Sequence, residues 1–200
     1  MTGSPTLPEP LARFGELLER ARATDLPEPT AMALSTVGAD GRPSSRMVLL
    51  KGFDEHGFVF YTNLGSRKAR EIGVNPWVAL CFHWQPLEVQ VRVEGRAAPV
   101  GDAEADAYFG SRPRGSQVGA WASRQSEELP SRAALEERIL QVEERFQGGE
   151  IPRPPFWSGF RVVPDRIELW FALPSRLHER DVYTRDPDAP GGWSLRRLYP

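Results

Sequence analysis

Apolar residues recur along the chain at two spacings, and the changes from one to the other mark out its elements. Leu11, Phe14, Leu18 and Ala21 follow at helical spacing. They predict a short amphipathic helix through about residue 24, ended by Pro27-Glu-Pro29. Residues 1–10, rich in Pro, Ser and Thr, read as a mobile arm. Strand-like runs then follow at 31–37, 44–51 and 58–62. Ala39-Asp-Gly-Arg-Pro43 supplies the first turn. Asp54-Glu-His-Gly57 supplies the second, which predicts a hairpin of 46–51 with 58–63. A helix is predicted over 67–74, capped by Ser66 and stopped by Asn75-Pro76. The continuous apolar run 77–84 reads as a strand buried on both faces, and Gln85-Pro86 as a turn. Residues 87–93 alternate, with Val89, Val91 and Val93 on one face and Glu88, Gln90, Arg92 and Glu94 on the other.

The pattern changes at Gly101. Residues 102–112 read as a helix that Pro113 ends or kinks, 114–126 show no clear period, and 130–146 read as a charged helix. Leu135, Ile139 and Val142 would form the inner side of that last helix. Strands return at 159–163, 166–171, 177–184 and 193–198, with a loop over 186–192. Many short strands joined by tight turns argue for a barrel rather than a doubly wound sheet. The predicted organisation is mainly β with α: an N-terminal arm and helix over 1–30, then one domain over 31–200 with a helical insertion at about 101–150.

Composition narrows the function classes. The formal net charge is −2 over 200 residues. It makes no general case for nucleic acid or membrane as partner, so any basic site must be local. No apolar run approaches transmembrane length and no signal-peptide pattern opens the chain, which makes the cytoplasm the expected location. The single cysteine, Cys81, reads as a small buried residue. No metal-ligand spacing, G-x-S-x-G elbow, G-x-G-x-x-G or Walker loop is present.

The candidate chemistry is anion binding. Arg67 and Lys68 lie in the first turn of a helix, where cations oppose the helix dipole. A bound phosphate would reverse that objection. Tyr108, Arg112 and Ser116 are spaced four apart and could hold phosphate oxygens. Spacing alone favours a plain exposed helix face for them. Arg176, His178 and Arg180 alternate on an expected strand, as a solvated row or one facing an anion.

Five longer stretches resemble the pyridoxine/pyridoxamine 5′-phosphate oxidase family. They are Arg46-Met-Val-Leu-Leu-Lys51, the run 59–68, the run 111–126, Phe156-Trp-Ser-Gly-Phe-Arg161 and Arg176-Leu-His-Glu-Arg180. The resemblance implies a split β-barrel homodimer with FMN at the subunit interface. It implies FMN contacts from Arg46, Met47, Val48, Leu49, Leu50, Lys51, Tyr61, Thr62, Arg67, Lys68, Gln90, Gln125, Ser126, Trp170 and Arg180. It implies that Lys51, Tyr108, Arg112 and Ser116 cradle the substrate phosphate, and that Arg176, Leu177 and His178 lie over the pyridine ring. Arg176 and His178 would be the catalytic pair. The implied reaction is oxidation of pyridoxamine or pyridoxine 5′-phosphate to pyridoxal 5′-phosphate, with O2 reduced to H2O2. Rival readings are a related flavin oxidase of the dihydrophenazine type and a non-catalytic flavin or pyridoxal-phosphate carrier. The chain departs from the family pattern at Phe171, where a Gln is usual, and in the loop Ala172-Leu-Pro-Ser175.

Overall fold

The computed structural model describes residues 7–200, so the expected arm before Leu7 lies outside the described residues. Helix α1 (Glu9–Arg22) buries Leu11, Phe14, Leu18 and Ala21, the four positions its spacing picks out. Phe14 is its centre. The ring lies 4.9–5.7 Å from Phe53, Phe58, Phe82 and Trp84, mostly edge to face. Full burial of such a side chain contributes about 1.5–3 kcal/mol. On the other side of the helix, Arg13 Nη1 donates to Asp181 (2.8 Å) and to the Tyr183 hydroxyl (2.7 Å).

Nine antiparallel strands form one curled sheet: β1 (Ala31–Val37), β2 (Pro43–Leu49), β3 (Gly52–Asp54), β4 (Gly57–Asn63), β5 (Trp77–Trp84), β6 (Val89–Pro99), β7 (Trp157–Phe171), β8 (Glu179–Arg185) and β9 (Trp193–Arg197). Their order is β2-β1-β5-β6-β7-β4-β3, with β8 on β7 and β9 on β8. Closure happens between β2 and β3. The Leu50 N–H still donates to Thr30, next to β1, whereas the Lys51 N–H already donates to Val59 of β4. The chain thus passes from one edge of the sheet to the other within two residues.

Four expectations change. The hairpin is β3 with β4, because residues 46–49 pair with β1 and the run changes partner at Lys51. β5 buries only Val78, Leu80, Phe82 and Trp84, while Trp77 and His83 are exposed, since α1 covers one face of the sheet alone. The two strands expected at 159–171 are one. β6 runs beside both halves, and Pro164-Asp165 is a bulge opposite Gly95, where a Cβ would stand 2.1 Å from the Val163 carbonyl oxygen. β8 begins at Glu179. Ser175 and Arg176 have φ of 58° and 61°, so Arg176 is in a turn and does not share a strand face with His178 and Arg180.

Three helices lie between β6 and β7, as the change at Gly101 suggests: α3 (Asp102–Ser111), α4 (Arg114–Ala122) and α5 (Arg132–Arg145). Before them, α2 (Arg67–Val74) starts on Ser66, whose hydroxyl accepts from the Ala69 N–H. Helix α4 occupies the stretch without a visible period. Its first turn, Arg114 to Ser116, is exposed and the rest is half-buried or buried, and small residues (Gly115, Gly119, Ala120, Ala122) are interspersed, so no clear stripe marks one side.

Candidate active site

A cavity of about 660 Å³ opens between β2, β4, α2, the α3–α4 corner and the start of β7. Thirteen of the residues expected in the site divide sharply by position. Arg46, Met47, Val48, Leu49, Lys51, Tyr61, Thr62, Lys68, Tyr108, Arg112, Ser116 and Gln125 line this cavity. Leu50 does not: its side chain is in the barrel core.

One end of the cavity is cationic. Lys68 Nζ is buried and donates to Thr62 Oγ1 (3.2 Å) and Gln125 Oε1 (2.9 Å). Burial, then the neighbouring Arg46, lowers the Lys68 pKa. Both side-chain partners are neutral, so this ammonium has no carboxylate of its own among the described residues. Arg46 is held from behind by Glu71, which also takes Arg67 Nε at 2.7 Å. Arg67 therefore points at Glu71 from outside the lining, and its backbone N–H donates to Ser126 Oγ at 3.1 Å.

The other end is aromatic and basic. Tyr61 stacks on Tyr108 (centroids 3.9 Å apart, planes at 15°) and on Trp157 (5.3 Å, 7°). Burial, then the nearby Glu104 carboxylate, pushes the Tyr61 phenol up to about 12, so it stays protonated at neutral pH. The Arg112 guanidinium lies 4.7 Å over Trp157, and its Nη1 is buried with no hydrogen-bond partner among the described residues. Burial lowers its pKa. The proline break at 113 leaves Tyr108 in α3, Arg112 at its end and Ser116 in α4, yet all three reach one cavity.

The remaining expected residues gather elsewhere. Gln90, Trp170 and Arg180 are directly opposite one another across β6, β7 and β8. His178 packs 4.5 Å from Trp170, and its Nδ1 accepts from the Leu173 N–H at 3.2 Å, so the neutral ring carries its proton on Nε2. Arg180 Nε donates to the buried Glu168 at 2.9 Å, which Arg92 and Arg166 also reach. Leu177 is exposed beside this group. Trp157 and Trp170 are thirteen positions apart on β7, up to about 40 Å of strand. Neither Gln90, Trp170, Arg176, His178 nor Arg180 lines this cavity.

Sequence reasoning missed five cavity residues: Asn63, Gly119, Ala120, Ser123 and Trp157. All five lie in stretches that carry the family resemblance (59–68, 111–126 and 156–161), and that was the available signal. Gly119 and Ala120 are small, which lets a ligand approach α4 closely.

Comparison with known proteins decides the lineage. Residues 17–146 match the family model described as pyridoxamine 5′-phosphate oxidase. Residues 157–200 match the pyridoxine 5′-phosphate oxidase C-terminal dimerisation region. The chain belongs to the pyridoxine/pyridoxamine 5′-phosphate oxidase family. Among its relatives, the pyridoxine/pyridoxamine 5′-phosphate oxidase of Myxococcus xanthus strain DK1622 is 61% identical, over 96% of this chain and 92% of the relative. That of Rubrobacter xylanophilus is 57% identical, over 96% and 88%. Among solved structures, PhzG from Burkholderia lata 383, in complex with tetrahydrophenazine-1-carboxylic acid, aligns with a TM-score of 0.89 at 32% identity, over 99% of this chain and 95% of that one. The fold is also that of a pyridoxamine 5′-phosphate oxidase-related, FMN-binding protein from Nostoc punctiforme, with a TM-score of 0.76 at 19% identity over the whole of both chains. The curled sheet is thus the split barrel that the family resemblance implied.

Proposed function

We propose that the protein is an FMN-dependent oxidase that converts pyridoxamine 5′-phosphate and pyridoxine 5′-phosphate to pyridoxal 5′-phosphate, with O2 as oxidant and H2O2 released. One observation carries the reading. A single cavity holds two cations without anionic partners among the described residues, the buried Lys68 at one end and the half-buried Arg112, with its Nη1 enclosed, at the other. A buried charge left so is costly unless a ligand supplies its counter-ion. Two such charges suit two phosphates, that of the flavin and that of the substrate. Lys68, with Arg46, Thr62 and Gln125, would hold the FMN phosphate end. Met47, Val48 and Leu49 would face the flavin through β2. Lys51, Tyr108, Arg112 and Ser116 would cradle the substrate phosphate.

FMN held there would supply the redox chemistry, a two-electron oxidation of the substrate at its 4′ carbon with O2 as final acceptor. The chain supplies binding and orientation. Four ligands on the substrate phosphate give remote binding energy that fixes the ring in place. The protonated phenols of Tyr61 and Tyr108 present donors without adding negative charge beside the phosphate. The Tyr61–Tyr108–Trp157 stack makes a flat, dry wall.

The reading includes a homodimer. The Trp157 and Trp170 ends of β7 are too far apart for one small ligand to touch both. A two-fold axis that sets the Trp170 end of one protomer against the Trp157 end of the other would bring Gln90, Trp170 and Arg180 to the flavin. It would also bring Arg176, Leu177 and His178 over the substrate ring. His178 would then offer Nε2–H as a donor. The match of 157–200 to a dimerisation region supports this arrangement. No described helix is long and apolar enough to cross a membrane. The expected cytoplasmic location goes with this reading.

The test is steady-state oxidation by the purified protein with FMN. Pyridoxal 5′-phosphate should accumulate with matching O2 uptake, and unphosphorylated pyridoxine should be a poor substrate. Oxidation of a dihydrophenazine carboxylate without pyridoxal 5′-phosphate formation would move the assignment to the PhzG type. Flavin binding without O2 uptake would leave a carrier.

A further inference from the structure

Glu71 is a buried carboxylate that lies behind the cavity rather than in it. Its Oε2 accepts from Thr36 Oγ1 (2.5 Å), Ser44 Oγ (2.6 Å) and Arg46 Nη2 (3.3 Å). Its Oε1 accepts from Arg67 Nε (2.7 Å). The two hydroxyls also serve Arg46: Thr36 Oγ1 accepts from Arg46 Nη1 at 2.5 Å, and Ser44 Oγ accepts from Arg46 Nη2. Leu34 O takes a further bond from Arg46 Nη1 at 3.2 Å.

The direction of these bonds is forced. A carboxylate can only accept, so Thr36 and Ser44 must each turn their one proton toward Glu71. Their lone pairs are then left for Arg46, which can only donate. Glu71 thereby sets the polarity of both hydroxyls and, through them, the orientation of a guanidinium that lines the cavity. On its other oxygen it fixes Arg67 by Nε alone, and the two terminal nitrogens of Arg67 have no partner among the described residues. One carboxylate thus aims two arginines from behind.

We propose that Glu71 is the positioning residue of the flavin-phosphate site, acting through Thr36, Ser44, Arg46 and Arg67 without touching the flavin. This rests on the assignment of the Arg46–Lys68 end to the FMN phosphate. The alternative role, a plain negative charge near a phosphate, has the opposite sign: its removal would tighten anion binding. A glutamine at 71 keeps the shape but offers one acceptor oxygen: turned toward Thr36 and Ser44 it sets its N–H2 against the Arg67 Nε–H and releases Arg67, and turned the other way it reverses a hydroxyl and releases Arg46.

The experiment titrates the flavin-stripped full-length protein with FMN and with riboflavin, which lacks the phosphate, and follows the loss of flavin fluorescence. Glu71→Gln should weaken FMN binding at least about tenfold and change riboflavin binding less than about twofold. Ser44→Ala keeps the Glu71 charge and removes one relay hydroxyl. It should weaken FMN about three- to tenfold, again with riboflavin unchanged, and it serves if the Glu71 variant does not fold. Equal losses for both flavins, or FMN binding unchanged or tighter in Glu71→Gln, would overturn the proposal. Lys68→Ala separates the two levels of the argument. If it too leaves FMN affinity intact, the phosphate is not at this end of the cavity, and the assignment fails together with the positioning role. If it weakens FMN while Glu71→Gln does not, the positioning role alone is wrong.

Discussion

Replacing Arg112 by Met should lower activity and either cost little stability or raise it. Methionine matches the apolar stem of arginine but stops short of the guanidinium, which is lost from over Trp157. In the protein without substrate, that group has a buried Nη1 with no partner, which costs about 1–3 kcal/mol. Its position 4.7 Å over Trp157 returns about 0.5–2 kcal/mol as a cation–π interaction. The difference runs from a loss of about 1 to a gain of about 2.5 kcal/mol. At roughly 2–4 °C per kcal/mol for a chain of this size, Tm should fall by no more than about 4 °C or rise by up to about 10 °C. With substrate the sign reverses. Loss of charge-assisted bonds to the phosphate costs about 1.5–3 kcal/mol, a fall of about ten- to 150-fold in kcat/KM for pyridoxine 5′-phosphate. The assay pairs calorimetry of the holoenzyme with steady-state kinetics on phosphorylated and unphosphorylated pyridoxine. Activity on the unphosphorylated compound should hardly move. A Tm drop beyond about 5 °C with unchanged kcat/KM would make Arg112 a structural residue and refute the reasoning.

Arg176→Leu should keep FMN and the dimer but slow anaerobic flavin reduction at least about tenfold, a barrier increase of ~1.4 kcal/mol, with His178→Ala acting more weakly; an unchanged stopped-flow rate would move the substrate ring elsewhere. Phe14→Ala removes the ring on which four aromatic neighbours converge and should cost about 3–5 kcal/mol, read as a Tm lower by about 10 °C, whereas a drop under about 2 °C would mean that α1 is not part of the core. Burial would raise the Glu71 pKa, but the bonds from Ser44, Thr36 and Arg67 outweigh it and hold the carboxyl at about 2 against an ordinary 4.5. A depressed pKa means stability fully present above about pH 4.5 and lost as pH falls toward 2, so Tm of wild type should fall more steeply across that window than Tm of Glu71→Gln; parallel curves would contradict the shift.

Elements were legible in the sequence wherever one face alone is buried. The spacing of Leu11, Phe14, Leu18 and Ala21 located α1, and the alternation of Val89, Val91 and Val93 located β6. Helix α4 was not legible, because it is short and its small residues, Gly115, Gly119, Ala120 and Ala122, leave no contrast between an apolar and a polar face. The change of partner at Lys51 was equally hidden, since β2 and β3 are one continuous run and only the pairing distinguishes them. For the site, residue type at helical spacing did not single out Tyr108, Arg112 and Ser116. They meet because the chain turns at Pro113, and it was the long family motifs that named them. The outlying group of Gln90, Trp170 and Arg180 shows the limit most clearly. Its members are neighbours across the sheet, far from the cavity, and nothing local in the sequence relates them to it.

Lys68 and Arg112 each lack an anionic partner in the cavity, and the proposal gives one the flavin phosphate and the other the substrate phosphate, so that hydride passes between the two bound molecules. Anaerobic mixing of the FMN-loaded protein with pyridoxamine 5′-phosphate tests it most directly. The account predicts that the yellow flavin absorbance bleaches in a single turnover, with one pyridoxal 5′-phosphate formed per flavin, and returns with H2O2 when air is admitted. A flavin that stays oxidised with saturating pyridoxamine 5′-phosphate and pyridoxine 5′-phosphate, yet bleaches with a chemical reductant, would contradict it.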